Sequence, residues 1–288
     1  MSNYIIFTDS GCDILPEKLA EWQIPALDLT FKFDGDDKEY MNADMDVKTF
    51  FDRMRKGGVA KTSAVNMERF RIGFEEILKE GNDILYLGFS GGLSTTSNSA
   101  RLAADDLRDE YPERKIIVVD TLCASAGHGL IVYLTMQKKN EGATIEEAAE
   151  YAKSVMYNID HWVTVDDLVY LKRGGRISPT VAFVGNALGL KPIIHVDGEG
   201  KLVSVEKIRG RKGAINHLAE KYAQLALDKE NGTIFISHAD CIEDANTLAD
   251  ILKANHGVDV THITYIGPVI GAHAGPGTLA LFFVGKGR

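Results

Sequence analysis

The chain has 288 residues, with 32 Lys plus Arg against 41 Asp plus Glu, so its formal net charge is −9. Apolar residues make up 45% of it and charged residues 25%, a globular composition that excludes a disordered or fibrous chain. At roughly 100–200 residues per domain the length indicates two domains or one large domain, and the acidic balance argues against nucleic acid as the main partner.

The first half alternates short β-branched runs with helical periodicity, which predicts α/β structure with a parallel sheet. The predicted elements in chain order are strand Tyr4–Thr8, helices Val47–Lys56 and Met67–Lys79, strand Asp83–Phe89, helix Thr95–Glu110, strand Lys115–Val119, and helices Ala124–Lys139 and Ile145–Asn158. Glycines or a proline follow three of these helices, as is typical of helix ends.

The second half has a different pattern, because Asp197–Gly200 between two β-branched runs predicts a hairpin and therefore an antiparallel pair. The predicted elements are strand Trp162–Val165, helix Pro179–Leu190, strands Pro192–Val196 and Leu202–Glu206, helix Gly213–Ala226, strand Thr233–Ser237, helix Glu243–Ala254, and strands Asp259–Tyr265 and Leu279–Val284. We expect an N-terminal α/β domain over residues 1–163 with a parallel sheet, and a C-terminal α/β domain over residues 164–288 with a mixed sheet.

The cysteines and the N-terminus bear on the cellular compartment. Cys12, Cys123 and Cys241 lie far apart without a CxxC pair, which indicates reduced thiols. Met1–Asp9 lacks the basic start and long apolar run of a signal peptide, and no stretch of about 18 residues is free of polar interruptions. We expect a cytoplasmic protein with transient membrane contact at most.

Four loops before predicted helices are rich in hydroxyls and small residues: Thr8–Asp13, Lys61–Ala64, Phe89–Thr96 and Asp120–Gly127. Ser, Thr and Asp at such positions are most often helix N-caps. However, the carboxyl ends of parallel strands share one edge of a sheet, and donors at helix starts favour an anion. The loops therefore predict a site for an anion or polar head group. They contain neither GxxxxGK[ST] nor GxGxxG, so we expect no nucleotide site.

The segment Ile266–Thr278 surrounds His273 with glycines and prolines. A His in such a stiff loop is suited to binding a carboxylate or phosphate, although a structural His is the alternative. The other histidines show neither HxxxH nor HExxH spacing, so we expect no metal site. Ser94 and His273 could form a nucleophile–base pair, but no GxSxG elbow surrounds Ser94.

Two basic segments stand out in this acidic chain, Lys172–Arg176 and Lys207–Lys212. Solvated surface is the simpler interpretation of both. The functional interpretation is the docking of an acidic or phosphate-bearing partner.

Seven segments in order resemble the motifs of the DegV family of bacterial fatty-acid-binding proteins. They are Thr8–Asp13, Thr62-Ser63, Ser90–Ser94, Asp120–Gly127, Leu171–Ser178, Lys191–Ile193 with Asp197-Gly198, and Gly267–Gly277. The resemblance covers nearly the whole chain, and LKRGGRIS at Leu171–Ser178 is very close to the LKxGGRIS of the family. The chain departs from the family at Ala64-Val65, where Gln-Pro is common, and at Ala272 and Ala274, where Thr is common. These changes predict a head-group pocket that is less polar or that binds a different acid.

The resemblance implies two α/β domains with one long-chain fatty acid between them and no other cofactor. It assigns the carboxylate of that fatty acid to hydroxyls and a His, namely Thr62, Ser63, Ser94, Thr95 and His273. Support by the surrounding loops is assigned to Asp9, Ser10, Gly92, Gly271 and Gly275.

The resemblance also implies a chain that is no enzyme on its own, but the lipid-carrying subunit of a fatty acid kinase in phospholipid metabolism. A separate ATP-binding subunit would convert the bound fatty acid to an acyl phosphate. The residues expected to dock that subunit are Arg176, Lys207, Arg209 and Arg211. Two alternatives stay open: a lipid hydrolase or acyltransferase that uses Ser94 and His273, and a binder of another small anionic metabolite.

Overall fold

The computed structural model describes residues 3–177 and 189–288. Its first half contains strands β1 (Tyr4–Asp9), β2 (Ala26–Leu27), β3 (Thr30–Phe33), β4 (Tyr40–Met41), β5 (Ala60–Ser63), β6 (Asp83–Gly88) and β7 (Ile116–Asp120). The helices of this half are α1 (Pro16–Glu21), α2 (Val47–Arg55), α3 (Met67–Lys79), α4 (Thr96–Glu110), α5 (Ser125–Asn140) and α6 (Ile145–Val155).

The second half contains strands β8 (Ile159–Thr164), β9 (Leu190–Val196), β10 (Leu202–Arg209), β11 (Ile234–His238), β12 (His262–Tyr265) and β13 (Leu279–Val284). Its helices are α7 (Val169–Arg173), α8 (Arg211–Leu225), α9 (Ile242–His256) and α10 (Pro268–Ala274). Within the described residues, no helix is long and apolar enough to cross a membrane.

The first sheet is parallel throughout, with strand order β2-β1-β6-β7. Every residue of β6 is buried, as expected for a parallel strand that helices cover on both faces. Ile84 and Tyr86 face the core shared with α3 and α4, whereas Leu85 and Leu87 face the core shared with α5 and α6. This arrangement leaves the carboxyl ends of β1, β6 and β7 to support the loops of the site.

The second sheet is mixed, with strand order β10-β9-β8-β13-β11-β12. The predicted hairpin at Asp197–Gly200 is confirmed, because β9 and β10 pair antiparallel across it. The β11–β12 pair is parallel, and the other neighbours are antiparallel. The predicted fold class, a parallel-sheet N-terminal region followed by a mixed-sheet C-terminal region, is confirmed.

Helix α5 lies between the two sheets and contacts β1 and β6 on one side and β8, β11 and β13 on the other. Its residues Leu130, Ile131 and Val132 are all fully buried although they are consecutive. A helix that is apolar on every side is a buried helix, so its sequence already indicates this central position. The two halves therefore share one core rather than meeting across a wet interface.

The sequence did not predict the third sheet, an antiparallel sheet with strand order β4-β3-β5. Together with α2 it forms a small unit that we call the cap. Phe31 and Phe50 hold the cap together, with ring centroids 5.1 Å apart in an edge-to-face arrangement. The expectation that Lys61–Ala64 is a loop at the edge of the parallel sheet was wrong, because Lys61–Ser63 lies within β5.

Other boundaries also needed correction. Helix Met67–Lys79 and strand Leu279–Val284 are confirmed at both ends, whereas the strand predicted from Trp162 begins earlier, at Ile159. Most of the predicted helix Pro179–Leu190 lies outside the described residues, and Leu190 begins β9 instead of ending a helix. The division between residues 163 and 164 stays a prediction; β8 contains both residues and belongs to the mixed sheet.

Candidate functional site

A cavity of about 490 Å³, the main cavity, lies between the loops of the parallel sheet and one face of the mixed sheet. Its volume is within the range of small-molecule binding sites. Most of its wall is apolar: Leu29, Phe89, Leu93, Val163, Val165, Leu171, Ile194, Val196, Leu202, Ile266, Val269, Ile270, Ala280 and Phe282.

Alternate residues of three strands form one long wall of the main cavity, which we call the floor. Val163 of β8 pairs with Ala280 of β13 on one side and with Ile194 of β9 on the other. Residues two apart on a strand face the same side, so Phe282 continues the floor beyond Ala280. From Thr278, before β13, to Phe282 the floor extends roughly 13 Å along the strands. The sheet therefore presents an apolar strip long enough to contact many methylene groups of an extended chain.

Thr62, Ser94, Arg176 and His273 line the same cavity, and we call them its polar end. Thr62 lies on β5 of the cap and His273 on α10, yet Oγ1 of Thr62 is 2.8 Å from Nε2 of His273. The expectation that His273 lies in a loop was wrong, because Pro268–Ala274 forms a short helix. Pro268 occupies its first turn and Gly275, with φ +84°, ends it.

Close packing between the cap and α10 brings Thr62 to His273. A Cβ on Gly271 would lie 2.7 Å from Cζ of Phe51, so only glycine lets α10 approach α2 this closely. The main-chain N–H of Val269 also donates to Oδ1 of Asn42, at 3.0 Å. Gly271, predicted as a supporting residue, lies at this contact, one turn before the helix ends at Gly275.

His273 is mostly buried and uncharged at neutral pH. Burial, and secondly the neighbouring Arg176 guanidinium, lowers the pKa of His273 to about 4. Nδ1 is buried without a hydrogen-bond partner among the described residues, and a Cβ on Gly174 would collide with it. The imidazole therefore offers one donor and one acceptor, with no charge of its own.

Ser94 and Thr95 line the cavity at the start of α4. Oγ of Ser94 lies 2.8 Å from Oγ1 of Thr96 and accepts from the main-chain N–H of Thr96 at 3.3 Å. Nε of Arg176 donates to the carbonyl of Leu93 at 3.1 Å, and its Nη1 donates to the carbonyl of Gly174. Arg176, which the sequence suggested only for partner docking, thus supplies a positive charge in the cavity wall.

Ser63 also borders the cavity, but its hydroxyl donates to Oε1 of Glu39 at 2.9 Å. Hydrogen bonds from Thr30, and then from Ser63, lower the pKa of the Glu39 carboxyl, so Glu39 is ionised at neutral pH. Successive residues of a strand point to opposite faces, so Thr62 and Ser63 do not direct their hydroxyls to one point. The structure therefore separates these two predicted ligands.

The predicted supporting residue Asp9 is fully buried under the loop that carries Ser94. Its Oδ2 accepts from the Tyr86 hydroxyl at 2.6 Å and from the Phe89 N–H at 3.0 Å. Oγ of Ser10 accepts from the N–H of Leu29 at 2.9 Å. Both side chains hold main chain next to the cavity rather than facing its lumen.

Gly92 lets the loop after β6 contact the β9–β10 hairpin, because a Cβ there would lie 2.5 Å from the carbonyl oxygen of Glu199. The hydroxyl of Ser90 in the same loop donates to the Gly200 carbonyl at 2.8 Å. These contacts join the two halves of the protein along one side of the main cavity.

The other predicted docking residues lie on or after β10. Arg209 is exposed and Lys207 is half-buried. Nε of Arg211 donates to Oδ2 of Asp244 at 2.8 Å, so this side chain is held within the protein. The structure does not bring Arg211 into the polar end of the cavity.

Sequence reasoning missed the residues of the floor. A period of two over Val163 and Val165, and over Ala280 and Phe282, is the signal that could have found one wall. It does not tell a cavity wall from ordinary core. Among the described residues, no group of three or more His, Cys, Asp or Glu side chains is placed to hold a metal ion.

The fold is an α/β protein with a parallel and a mixed sheet, and the wall of its main cavity is mostly apolar with a few polar side chains. A model of the DegV family, which is described as uncharacterised proteins, matches residues 3–286. A DegV domain-containing protein of Clostridium perfringens is 40% identical over 286 residues, covering 99% of this chain and 98% of the relative. The chain belongs to the DegV family.

Solved structures agree with this assignment. A DegV family protein of Thermus thermophilus, described as fatty acid binding, has a TM-score of 0.88 and 28% identity over 99% of this chain and 100% of its own. A DegV lipid-binding protein of Thermotoga maritima has a TM-score of 0.86 and 28% identity over 99% of both chains.

Proposed function

We propose that this protein binds one long-chain fatty acid, with the acyl chain along the floor and the carboxylate at the polar end. The observation that carries the proposal is one apolar cavity with Thr62, Ser94, Arg176 and His273 gathered in its wall. Each methylene removed from water contributes about 0.8 kcal/mol, so a long chain gains much of its affinity from the floor. The description of the Thermus thermophilus and Thermotoga maritima relatives as fatty acid or lipid binding supports the proposal.

The polar end suits a carboxylate because it offers donors and one positive charge. With its proton on Nε2, neutral His273 donates to Oγ1 of Thr62, which leaves the Thr62 hydroxyl proton for the ligand. Ser94 adds a second hydroxyl, and Arg176 balances the charge of the anion. A desolvated carboxylate needs such partners, since burial of an unpaired charge is costly. Ser63 and Thr95 belong to the proposed site as its neighbours.

The chain then acts as a carrier and not as an enzyme on its own. It presents the bound fatty acid to a separate ATP-dependent kinase subunit, which forms the acyl phosphate. The absence of nucleotide motifs from the sequence supports this division of labour. Arg176, Lys207 and Arg209 form the proposed docking set. Arg211 joins it only if its pair with Asp244 opens.

The alternative of a lipid hydrolase or acyltransferase requires Ser94 to pass a proton to His273. In the described structure the Ser94 hydroxyl lies against Thr96 and the His273 ring against Thr62. A Ser–His pair needs a hydrogen bond between its two members, so this geometry favours the carrier. A binder of another small anion would not need the apolar floor.

The first test is mass spectrometry of the purified protein, first native and then denatured with organic extraction. We expect a non-covalent adduct with the mass of a long-chain fatty acid, which the denatured protein releases. A covalent acyl adduct would instead support the hydrolase. No adduct, followed by no binding of added long-chain fatty acids, would contradict the proposal and favour another anionic ligand.

The docking proposal needs its own test, with a partner kinase and ATP. Charge reversal at Arg176 and Arg209 should reduce phosphorylation per molecule of bound fatty acid, and Arg209, which does not line the cavity, gives the result that is independent of binding. Charge reversal at Lys229, which is exposed and lies outside both basic segments, is the control. Unchanged phosphorylation by the Arg176 and Arg209 variants, with fatty acid still bound, would refute the docking set and leave the binding proposal intact.

A further inference from the structure

Asp13 and Ser125 separate the main cavity from a second one. The second cavity, of about 750 Å³, lies beside α1 and the cap, and Asp13 lines it. Ser125 lines the main cavity on the other side. The Ser125 hydroxyl donates to Oδ2 of Asp13 at 2.5 Å. One hydrogen bond therefore joins the walls of the two cavities, and both residues are buried.

The Asp13 carboxyl group also holds the helix that carries His273. Its Oδ1 accepts from the main-chain N–H of Gly267 at 2.9 Å, immediately before α10 begins. The main-chain carbonyl of Asp13 accepts from the Thr264 hydroxyl at 2.8 Å, at the end of β12. A single side chain after β1 thus contacts both the start of α5 and the start of α10, and these two segments line the main cavity.

The backbone at both ends of this contact adopts an uncommon conformation. Asp13 has φ +49° and Ser125 has φ +53°, in the left-handed region that few residues other than glycine adopt. Such conformations persist only where the surrounding structure imposes them. The hydrogen bonds around Asp13 are therefore well placed to determine where Ser125 and α10 lie.

We propose that Asp13 is a positioning residue of the fatty-acid site, and that its ionisation weakens the binding of a fatty acid. This inference rests on the proposed function, because it concerns the same cavity. Asp13 need not touch the ligand. It acts through Ser125 in the cavity wall and through the helix of His273.

The direction in which affinity changes with pH follows from the free-energy cost of an ionised carboxylate next to an apolar ligand. Burial raises the pKa of Asp13 to about 7, while hydrogen bonds from Ser125 and Gly267 oppose that rise. An acyl chain against Ser125 excludes water from this wall, which disfavours the ionised carboxylate further. Binding is then accompanied by proton uptake. Affinity is highest below the pKa of free Asp13 and falls, by at most about tenfold per pH unit for one proton, above it.

Other titratable groups on the elements around Asp13 have to be distinguished from it. They are Asp9 and Cys12 on its own segment, His128 on α5, His238 on β11, Tyr265 on β12, and Glu17, Asp28 and Asp46 around the second cavity. Burial raises the pKa of the Cys12 thiol and lowers that of His238, so both are uncharged at neutral pH. Burial also raises the pKa of Asp28, which makes Asp28 the group to control for.

The experiment measures the affinity of the whole protein for a fluorescent polyene C18 fatty acid, and for an alkyl sulfonate of similar length with a constant charge, from about pH 6 to about pH 8.5. The variants are Asp13→Asn, Asp13→Ala, Ser125→Ala, Asp28→Asn and Asp160→Asn. Asp160 is the matched control, because burial also raises its pKa, to about 6, yet it bonds to Trp162 and does not line the main cavity.

We expect the wild-type affinity for both probes to fall as pH rises, and Asp13→Asn to remove that slope. Asp13→Ala should also lose the slope, and it should bind about tenfold more weakly than Asp13→Asn, because both hydrogen bonds are lost. Ser125→Ala should move the midpoint of the slope to higher pH, since a hydrogen bond that lowers the pKa of Asp13 is gone. The two control variants should keep the wild-type slope.

Three results would overturn the inference. The slope could persist in Asp13→Asn, it could vanish equally in Asp160→Asn or Asp28→Asn, or the wild type could bind the fatty acid with no slope at all. In each of these cases the proposed function survives. If the wild type binds neither probe at any pH, the proposed function fails and this inference fails with it.

Discussion

The floor and the polar end of the main cavity are built in opposite ways. The floor comes from neighbouring strands of one sheet, whose register places Val163, Ile194 and Ala280 side by side. The polar end is assembled from four separate regions, since Thr62 lies in the cap, Ser94 before α4, Arg176 after α7 and His273 on α10. A repeated backbone pattern is sufficient for a non-directional apolar contact, whereas directional hydrogen bonds require particular side chains to meet.

The largest expected effect comes from a larger side chain on the floor, which tests whether the acyl chain lies there. Val163 is half-buried and faces the cavity, so Val163→Phe should place its added atoms in the lumen. We expect a loss of fatty-acid affinity of about 100-fold or more, because the acyl chain and the ring compete for one volume. Isothermal titration calorimetry with a long-chain fatty acid measures this loss. Val163→Ala, which removes atoms at the same position, should still bind, and equal loss in both variants would contradict the role of the floor.

The polar end is tested by removing one hydroxyl without changing the shape of the side chain. Thr62→Val should lower the affinity by at least about tenfold, because a hydrogen bond to a charged group is worth about 1.5–3 kcal/mol. Ser63→Ala is the matched control, since the Ser63 hydroxyl donates to Glu39. Competition with a fluorescent fatty acid measures the affinity of both variants. A larger loss in Ser63→Ala than in Thr62→Val would reverse the assignment of the two hydroxyls.

Substitution of Arg176 distinguishes the contribution of its charge to fatty-acid affinity from the contribution of the hydrogen bonds at the polar end. Arg176→Gln should weaken binding about fivefold, a partial loss because the hydroxyls and His273 remain. Added salt should weaken wild-type binding more than binding to the variant, since salt partly screens the half-buried ion pair with the carboxylate and only the wild type forms that pair. Arg173→Gln changes an exposed neighbour and should have no effect. An identical salt dependence in all three proteins would exclude Arg176 from the site.

The last prediction concerns stability instead of affinity, and it distinguishes the buried His273 from an exposed one. The pKa of His273 is lowered to about 4 in the folded protein, so the unfolded chain binds the extra proton first as pH falls. The free energy of unfolding should therefore decrease from about pH 6.5 to about pH 4, by roughly 3 kcal/mol at most from this group. Chemical denaturation at several pH values measures the slope. His273→Gln should reduce it, and an unchanged slope would show that His273 does not titrate as described.

Sequence reasoning predicted the two-part α/β fold because its signals are local and repeated. The apolar runs of β1 and β6, the helix Met67–Lys79 and the hairpin at Asp197–Gly200 each depend on residues close together in the chain. It did not find the cap, because β4 contains only Tyr40–Met41 and β3 only Thr30–Phe33, too few residues for a clear period of two.

In the candidate site, too, the sequence predicted some features and not others. Thr62, Ser94 and His273 were named from the sequence, and the structure gathers all three around one cavity, where their part in ligand binding stays a proposal. However, the local sequence patterns did not predict the structural surroundings of these residues. His273 lies in a helix, and Ser63 turns its hydroxyl to Glu39. Arg176 and Asp13 gain their importance only from neighbours that are distant in the chain.

The sequence by itself determined most of the secondary elements, the class of fold and the family of this protein, because propensity, periodicity and motif order are properties of neighbouring residues. Only the tertiary structure decided which apolar side chains line a cavity and which polar groups face one another. The 2.8 Å contact between Thr62 and His273 joins residues far apart in the chain. Such a contact depends on the packing of Phe51 against Gly271 and of α10 against the cap, which no local pattern of residues specifies.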